Sequence, residues 1–170
     1  MPLRIPRYVS SLGILFAVLS ASLLGFLLMH RGLELHPMLS SSLLTVVYLP
    51  LLIWALLRAA ASILKDPDEF VQGLVLAFGF TALTILFFGV IYTELGIVWV
   101  GGSGVLVQNF TTCLYFSATT FTTVGYGDFA PTPESRLLAS IEALTGYLML
   151  GTMTGVLFVV LSRWSDRLGA

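Results

Sequence analysis

The chain has 170 residues, of which 57% are hydrophobic and only 10% charged, with a net charge of −1 and a mean hydropathy of +0.97. A soluble domain carries about 25% charged residues, so this composition excludes a water-soluble globular protein and points to one small domain in the lipid bilayer. The single cysteine, Cys113, excludes an intrachain disulfide framework and reads as a buried small hydrophobe. His30 and His36 do not make a metal cage; the net charge of −1 says nothing about partners, and no nucleic-acid partner is expected.

Crossing a bilayer takes about 20 apolar residues, and the sequence predicts four such helices. The first runs from Tyr8 to Met29 and is uncharged. Arg4 and Arg7 precede it in the manner of a secretory signal, but the stretch is long enough to span and has no clear small-residue cleavage site. The second, Pro37 to Leu57, contains Pro50, which removes a backbone hydrogen bond and is expected to kink it. In the loop that follows, Asp66 is a capping residue, Pro67 suits the first helical position, and Asp68 and Glu69 favour the positive end of a helix dipole. The third helix is therefore expected to start near Pro67 and to span over Phe70 to Thr93. The fourth covers Leu137 to Ser162 and carries one charge, Glu142.

Lys and Arg alternate unevenly between the two sides of these spans. Arg4, Arg7, Arg58, Lys65, Arg163 and Arg167 fall on one side, Arg31 and Arg136 on the other. The richer side belongs in the cytoplasm, so both termini are expected inside. Arg58 is read as snorkelling to the headgroups. A voltage sensor needs several arginines on one helix, and none of the predicted helices has them.

Between the third and fourth spans, Gly96 to Val107 reads as an external loop containing Gly101-Gly102-Ser103-Gly104. Asn109 is suited to cap a helix through Phe121, too short to span. A re-entrant segment of that kind survives in lipid only where protein surrounds it or water lines it. Next come Thr122-Thr123-Val124-Gly125-Tyr126-Gly127-Asp128, and then Pro131 and Pro133, which break the chain before the last helix.

The run TTVGYGD is the most informative stretch of the chain. An ion entering lipid must shed water, and a strand of backbone carbonyls can replace that water if all of them point to one axis. Turning peptide planes that way requires unusual dihedrals, and glycine takes positive φ without a Cβ clash; Gly125 and Gly127 alternate with Val124 and Tyr126 to suit. Thr123 can add a hydroxyl oxygen at the inner end. One such strand cannot encircle an ion. Four copies are needed, so a homotetramer with cyclic symmetry is expected.

This run between two hydrophobic helices resembles the selectivity filter of potassium channels, and the identity of the ion rests on that resemblance. From about Asp66 to Trp164 the chain is similar to the pore domain of tetrameric potassium channels. LYFSATTFTTVGYGD, together with Glu142, Gly146, Thr154-Gly155 and Phe158, looks most like prokaryotic inward-rectifier and simple two-helix channels. The implied fold is an all-α membrane protein with four transmembrane helices, a re-entrant pore helix and a filter, assembled as a tetramer in a prokaryotic inner or plasma membrane. Its expected parts are an N-terminal two-helix hairpin (1–65), a pore domain (66–164) and a short cytoplasmic tail (165–170).

The resemblance assigns potassium sites to Thr123, Val124, Gly125 and Tyr126, with Gly127 at the outer mouth. It places Asp128 behind the filter on a pore-helix aromatic, here Tyr115, and counts Thr122 and Thr119 as filter support. Thr119 stands where many channels carry a glutamate that pairs with the aspartate, which puts a coupled-carboxylate form of filter inactivation in doubt. An ionisable group inside a membrane helix is a functional hypothesis by default. Glu142 is expected behind the filter, accepting hydrogen bonds from Thr119, Thr120 or Thr122; the alternative has it facing the cavity and concentrating cations. Gly146 is the expected gating hinge, or Tyr147 if the Pro131 to Ser135 turn holds no deletion; the competing reading of Gly146, Gly151 and Gly155 is close helix packing. Phe158 matches an apolar constriction that gates by dewetting, and Leu150 and Thr154 share its helical face and would line the cavity.

No Ser/His/Asp set, phosphate loop or carboxylate cluster suggests an enzyme. The leading expectation is a passive potassium-selective channel gated at the inner-helix bundle or the filter. The alternative is a non-conducting or modulatory subunit of a potassium channel or transport complex. A regulatory lipid or partner subunit stays open, as does the gating stimulus.

Overall fold

The computed structural model describes residues 45–48, 50, 54, 61, 70–102 and 104–168. The expected first span and most of the second lie outside the described residues, as does the predicted helix start at Asp66 to Glu69. Three helices and a small sheet follow: α1 (Phe70–Leu95), β1 (Ile97–Trp99), β2 (Leu106–Val107), α2 (Phe110–Phe121), β3 (Phe129–Pro131) and α3 (Arg136–Leu168).

Helix α1 has 26 residues and α3 has 33. At 1.5 Å per residue they reach about 39 and 50 Å, enough to cross a hydrocarbon core of about 30 Å. Ala77–Leu95 and Arg136–Ser162 are the two stretches among the described residues that are long and apolar enough to do so. Helix α2, with 12 residues, reaches only about 18 Å and does not cross. It starts where Asn109 is placed to cap it: Asn109 Oδ1 accepts from the Thr112 N–H at 3.3 Å, and the Asn109 carbonyl accepts from the Cys113 N–H at 2.9 Å.

Helix α1 is apolar on all sides, and the stripe that turns inward is set by helical spacing. Phe80, Thr84, Phe87, Phe88, Ile91 and Tyr92 recur three or four residues apart and are all buried. Across the helix, Val75 and Phe78 are exposed, as suits a face turned to lipid or to another copy. The threonines within this stripe need not find distant partners, because Thr84 donates to the Phe80 carbonyl at 2.9 Å and Thr93 to that of Gly89 at 2.9 Å. The helix ends at Gly96, whose N–H donates to the Tyr92 carbonyl at 2.8 Å.

Residues of the expected second helix pack on this stripe. Thr45 to Tyr48, Pro50 and Trp54 are helical, and so is Ala61, which lies beyond the expected helix in the stretch read as a loop. Tyr48 is buried, and its ring stacks on Phe87 with centroids 4.3 Å apart. Its hydroxyl lies 3.0 Å from Thr84 Oγ1. Since the Thr84 proton already serves the Phe80 carbonyl, Tyr48 is the donor of that pair. Tyr48→Phe is expected to lower stability by about 1 kcal/mol, the scale of one interhelical hydrogen bond in a membrane protein. Tyr48→Ala is expected to cost more, about 3–5 kcal/mol, because it also empties the ring's site. Thermal unfolding of the two variants in detergent checks the order, and equal losses would show that ring packing contributes nothing.

One structural expectation is corrected. The described fold is mostly helical, but it is not all-α, and residues 96–107 are not simply a loop. The three strands form an antiparallel sheet in the order β2-β1-β3, with Ile97 opposite both Val107 and Pro131, and Trp99 opposite Phe129. Two- and three-residue strands are too short to display an alternating pattern. The readable signal was the pair of β-branched runs, Ile97-Val98-Trp99 and Val105-Leu106-Val107, flanking a glycine-rich turn. The sheet ties the end of α1 to the segment leaving the 122–128 run, and the Val100 N–H adds a bond to the Asp128 carbonyl at 2.9 Å.

Candidate functional site

The stretch 122–128 begins as the direct continuation of α2. The last carbonyls of a helix lack intrahelical donors, and here the following residues supply them. The Thr122 N–H donates to the Ala118 carbonyl at 3.1 Å, the Thr123 N–H to that of Thr120 at 3.0 Å, and the Gly125 N–H to that of Thr119 at 3.1 Å. Thr122 Oγ1 adds a second bond to the Ala118 carbonyl at 2.7 Å.

These bonds fix the carbonyl directions. Across a trans peptide, the carbonyl of one residue points opposite to the N–H of the next, and none of the described peptides is cis. With the N–H groups of Thr123 and Gly125 turned toward α2, the carbonyls of Thr122 and Val124 point away from it. Positive φ recurs at every second residue, 60° at Thr123, 49° at Gly125 and 80° at Gly127, while Val124 and Tyr126 between them keep negative φ. Alternation of this kind turns successive peptide planes to one side. For Thr123, a β-branched residue, the left-handed conformation costs about 1–2 kcal/mol. Strain of this kind persists where the surroundings over-determine it, and it clusters at functional sites.

Nothing in the described chain uses these oxygens: the carbonyls of residues 122–126 accept no hydrogen bond among the described residues. Residues 122–127 are all exposed. The result is a short stretch of unpaired backbone, strained at Thr123, whose exposed carbonyls are available as oxygen ligands.

Its C-terminal end is braced by side chains of α2 and β3. Tyr115 donates to Asp128 Oδ2 at 2.9 Å, its ring stacks parallel to that of Tyr126 with centroids 6.3 Å apart, and it meets the Phe129 ring edge-on at 6.1 Å. Asp128 Oδ1 accepts from the Phe129 N–H at 3.1 Å, so both carboxylate oxygens are engaged.

Glu142 is fully buried, so it does not face an open cavity in this chain. The partners expected for it are also corrected. Thr119 donates to the Phe116 carbonyl and Thr122 to the Ala118 carbonyl. In their place, Tyr92 of α1 donates to Glu142 Oε2 at 2.7 Å, and Ser117 of α2 lies 2.5 Å from Oε1. The Tyr92 ring also meets Phe116 edge-on at 4.9 Å. One carboxyl group thus joins all three helices, one turn before Gly146 meets the end of α2. Tyr92 and Ser117 are the residues that reading the sequence missed. The available signal was local: Tyr92 is the polar end of the buried stripe on α1, and Ser117 falls on the same face of α2 as Cys113 and Phe121.

Gly146 lies four residues beyond Glu142 on α3. A Cβ there would sit 1.8 Å from the Phe121 carbonyl oxygen, so the missing side chain is what lets α3 touch the end of α2. Helix α3 runs unbroken through this position. Beyond it, Tyr147, Leu150, Thr154 and Phe158 are exposed, Phe158 at 73%. Leu150, Thr154 and Phe158 are four residues apart and share one helix face.

Residues 75–163, just over half of the chain, match the profile of a family described as "Ion channel". No curated protein matches the sequence.

Proposed function

The chain belongs to the ion-channel family, and we propose that within it the protein is a passive potassium-selective channel. In this reading it assembles as a homotetramer in a prokaryotic inner or plasma membrane, with four transmembrane helices per subunit, both termini in the cytoplasm and the hairpin of residues 1–65 beside the pore domain of 66–164. Four copies of residues 123–126 surround the axis, and potassium is the cargo. Thr123, Val124, Gly125 and Tyr126 supply the oxygens, and Gly127 forms the outer mouth.

The observation that carries this reading is the unpaired carbonyl row with positive φ at alternate residues. A row of exposed carbonyls with no partner in the described chain can exchange with an ion's water at little cost in reorganisation. The exposed apolar faces of α1 and α3 suit contact with lipid and with further copies. Leu150, Thr154 and Phe158 then line the cavity and its inner constriction. Gly146 holds the inner helix against the pore helix, whether or not it also bends during gating.

The test is flux from liposomes reconstituted with the purified chain, under a potassium gradient and separately under a sodium gradient. Potassium flux well above sodium flux is expected. Equal fluxes would remove selectivity, and no flux under either gradient would favour a non-conducting subunit. Tyr115→Phe probes the brace. It removes one hydrogen bond to a carboxylate, an effect of about 1.5–3 kcal/mol, and leaves the ring stacking in place. The expected result is retained selectivity with a shortened conducting lifetime in single-channel records, and an unaltered lifetime would count against the brace.

A further inference from the structure

Glu142 sits in a network whose proton count does not close with a carboxylate. Ser117 Oγ has two neighbours able to accept, Glu142 Oε1 at 2.5 Å and the Ile85 carbonyl at 2.9 Å. A serine hydroxyl carries a single proton. Tyr92 also has one, and it goes to Glu142 Oε2 at 2.7 Å. If Glu142 were ionised, the one Ser117 proton would have to be split between two acceptors, or one of the two contacts would set lone pair against lone pair at hydrogen-bond distance.

A proton on Oε1 resolves the conflict. Tyr92 then donates to Oε2, the acid O–H donates to Ser117 Oγ, and Ser117 donates to the Ile85 carbonyl. Every contact becomes a donor–acceptor pair. The surroundings agree. Glu142 is fully buried, Tyr92 and Ser117 are both uncharged hydroxyls, and Cys113 Sγ on α2 is directed to the Val107 carbonyl. Arg136 lies six residues earlier on α3 and is exposed. An ionised acid buried between membrane helices with hydroxyl partners alone carries a desolvation cost that a neutral one avoids.

We infer that Glu142 is a neutral acid and a positioning residue: its own proton is the link that holds the pore helix, through Ser117, to the outer helix at Tyr92 and Ile85. A glutamine reproduces this arrangement, since its carbonyl can accept from Tyr92 and its N–H can donate to Ser117. An alanine cannot, and an ionised carboxylate could not have donated at all.

Two measurements test it, and only the second rests on the potassium-channel reading. The first is the infrared spectrum of the full chain in lipid at neutral pH. The carbonyl stretch of a protonated carboxyl group is expected in the native protein, absent in Glu142→Gln, and moved to higher frequency in Ser117→Ala, which keeps the acid and removes its acceptor. Loss of carboxylate bands instead, in Glu142→Gln, would overturn the inference, as would an unmoved stretch in Ser117→Ala. The second is potassium flux. Glu142→Ala is expected to fall about tenfold, the scale of leaving the buried Tyr92 hydroxyl without an acceptor, with Glu142→Gln restoring most of the loss. Equal defects in Ala and Gln would overturn the inference. Absence of potassium flux in the native chain, with the infrared result intact, would sink the channel reading and leave the neutral acid standing.

Discussion

If the chain assembles as the proposed channel, Gly146→Ala is expected to abolish the assembled, conducting form. The added carbon would lie 1.8 Å from the Phe121 carbonyl oxygen and 2.7 Å from its carbon, against an ordinary contact of about 3.5 Å. Both sides of this contact are backbone, so no rotamer change relieves it. Helix α3 must move off the end of α2 by roughly 1.5 Å, and Glu142, one turn earlier on α3, must move with it. That displacement is large enough to break the Glu142 bonds to Tyr92 and Ser117. Overpacking commonly costs about 1–3 kcal/mol, and here a buried hydrogen-bond network is lost in addition.

The same variant separates packing from bending. If Gly146 acted only as a hinge, alanine would favour the helix by about 1 kcal/mol and yield a stable assembly with altered gating. Size-exclusion chromatography of the purified variant, with liposome flux beside it, distinguishes the two. An intact assembly with a raised unfolding midpoint would show that the contact with Phe121 relaxes without consequence.

Gly125→Ala is expected to leave the protein folded and remove the discrimination between potassium and sodium proposed for it. At this residue φ is +49°, yet nothing lies within 4 Å of the position a Cβ would take. The cost is therefore conformational alone, about 1–2 kcal/mol for an L-residue held in the left-handed region. The cheapest relief returns residue 125 to negative φ. That interrupts the alternation with Thr123 and Gly127 and turns a neighbouring peptide plane, so that one carbonyl leaves the row. A change of 1.4 kcal/mol in the balance between two ions is about tenfold in selectivity. Potassium and sodium fluxes from liposomes, with the unfolding midpoint as a control, give the answer. Retained selectivity would mean that the conducting oxygens lie elsewhere.

Gly125 and Gly146 also mark how far the sequence could be read. The run 122–128 was legible because its requirements are local. Glycines alternate with other residues, the backbone N–H groups return to carbonyls only a few positions earlier, and a dihedral depends on its own residue and its immediate neighbours. The helices were legible for the same reason. Their length follows from an uninterrupted apolar run, and Asn109 caps α2 through an atom three residues from its donor. The sheet was only half visible, since its glycine-rich turn is local but the pairing of Val98 with Ala130 spans all of α2 and the 122–128 run.

What tertiary structure alone decided are contacts between residues distant along the chain. Glu142 stood out in the sequence as a charge that lipid would not tolerate, which required partners without naming them. Threonines at the end of α2 were the natural candidates, but the hydroxyl protons of Thr119 and Thr122 are spent on the Phe116 and Ala118 carbonyls. The donors came from Tyr92, 50 positions away, and the neighbour on the other oxygen is Ser117, 25 positions away. Gly146 carried two readings, hinge and close packing, and periodicity favours neither. The position of the Phe121 carbonyl supplies the packing reason, because steric exclusion depends on where two backbones meet. The sequence by itself determined a membrane-spanning chain with a turned row of carbonyls after a short helix. Which residues brace that row was settled by packing, where one buried acid and one missing side chain bring three helices together.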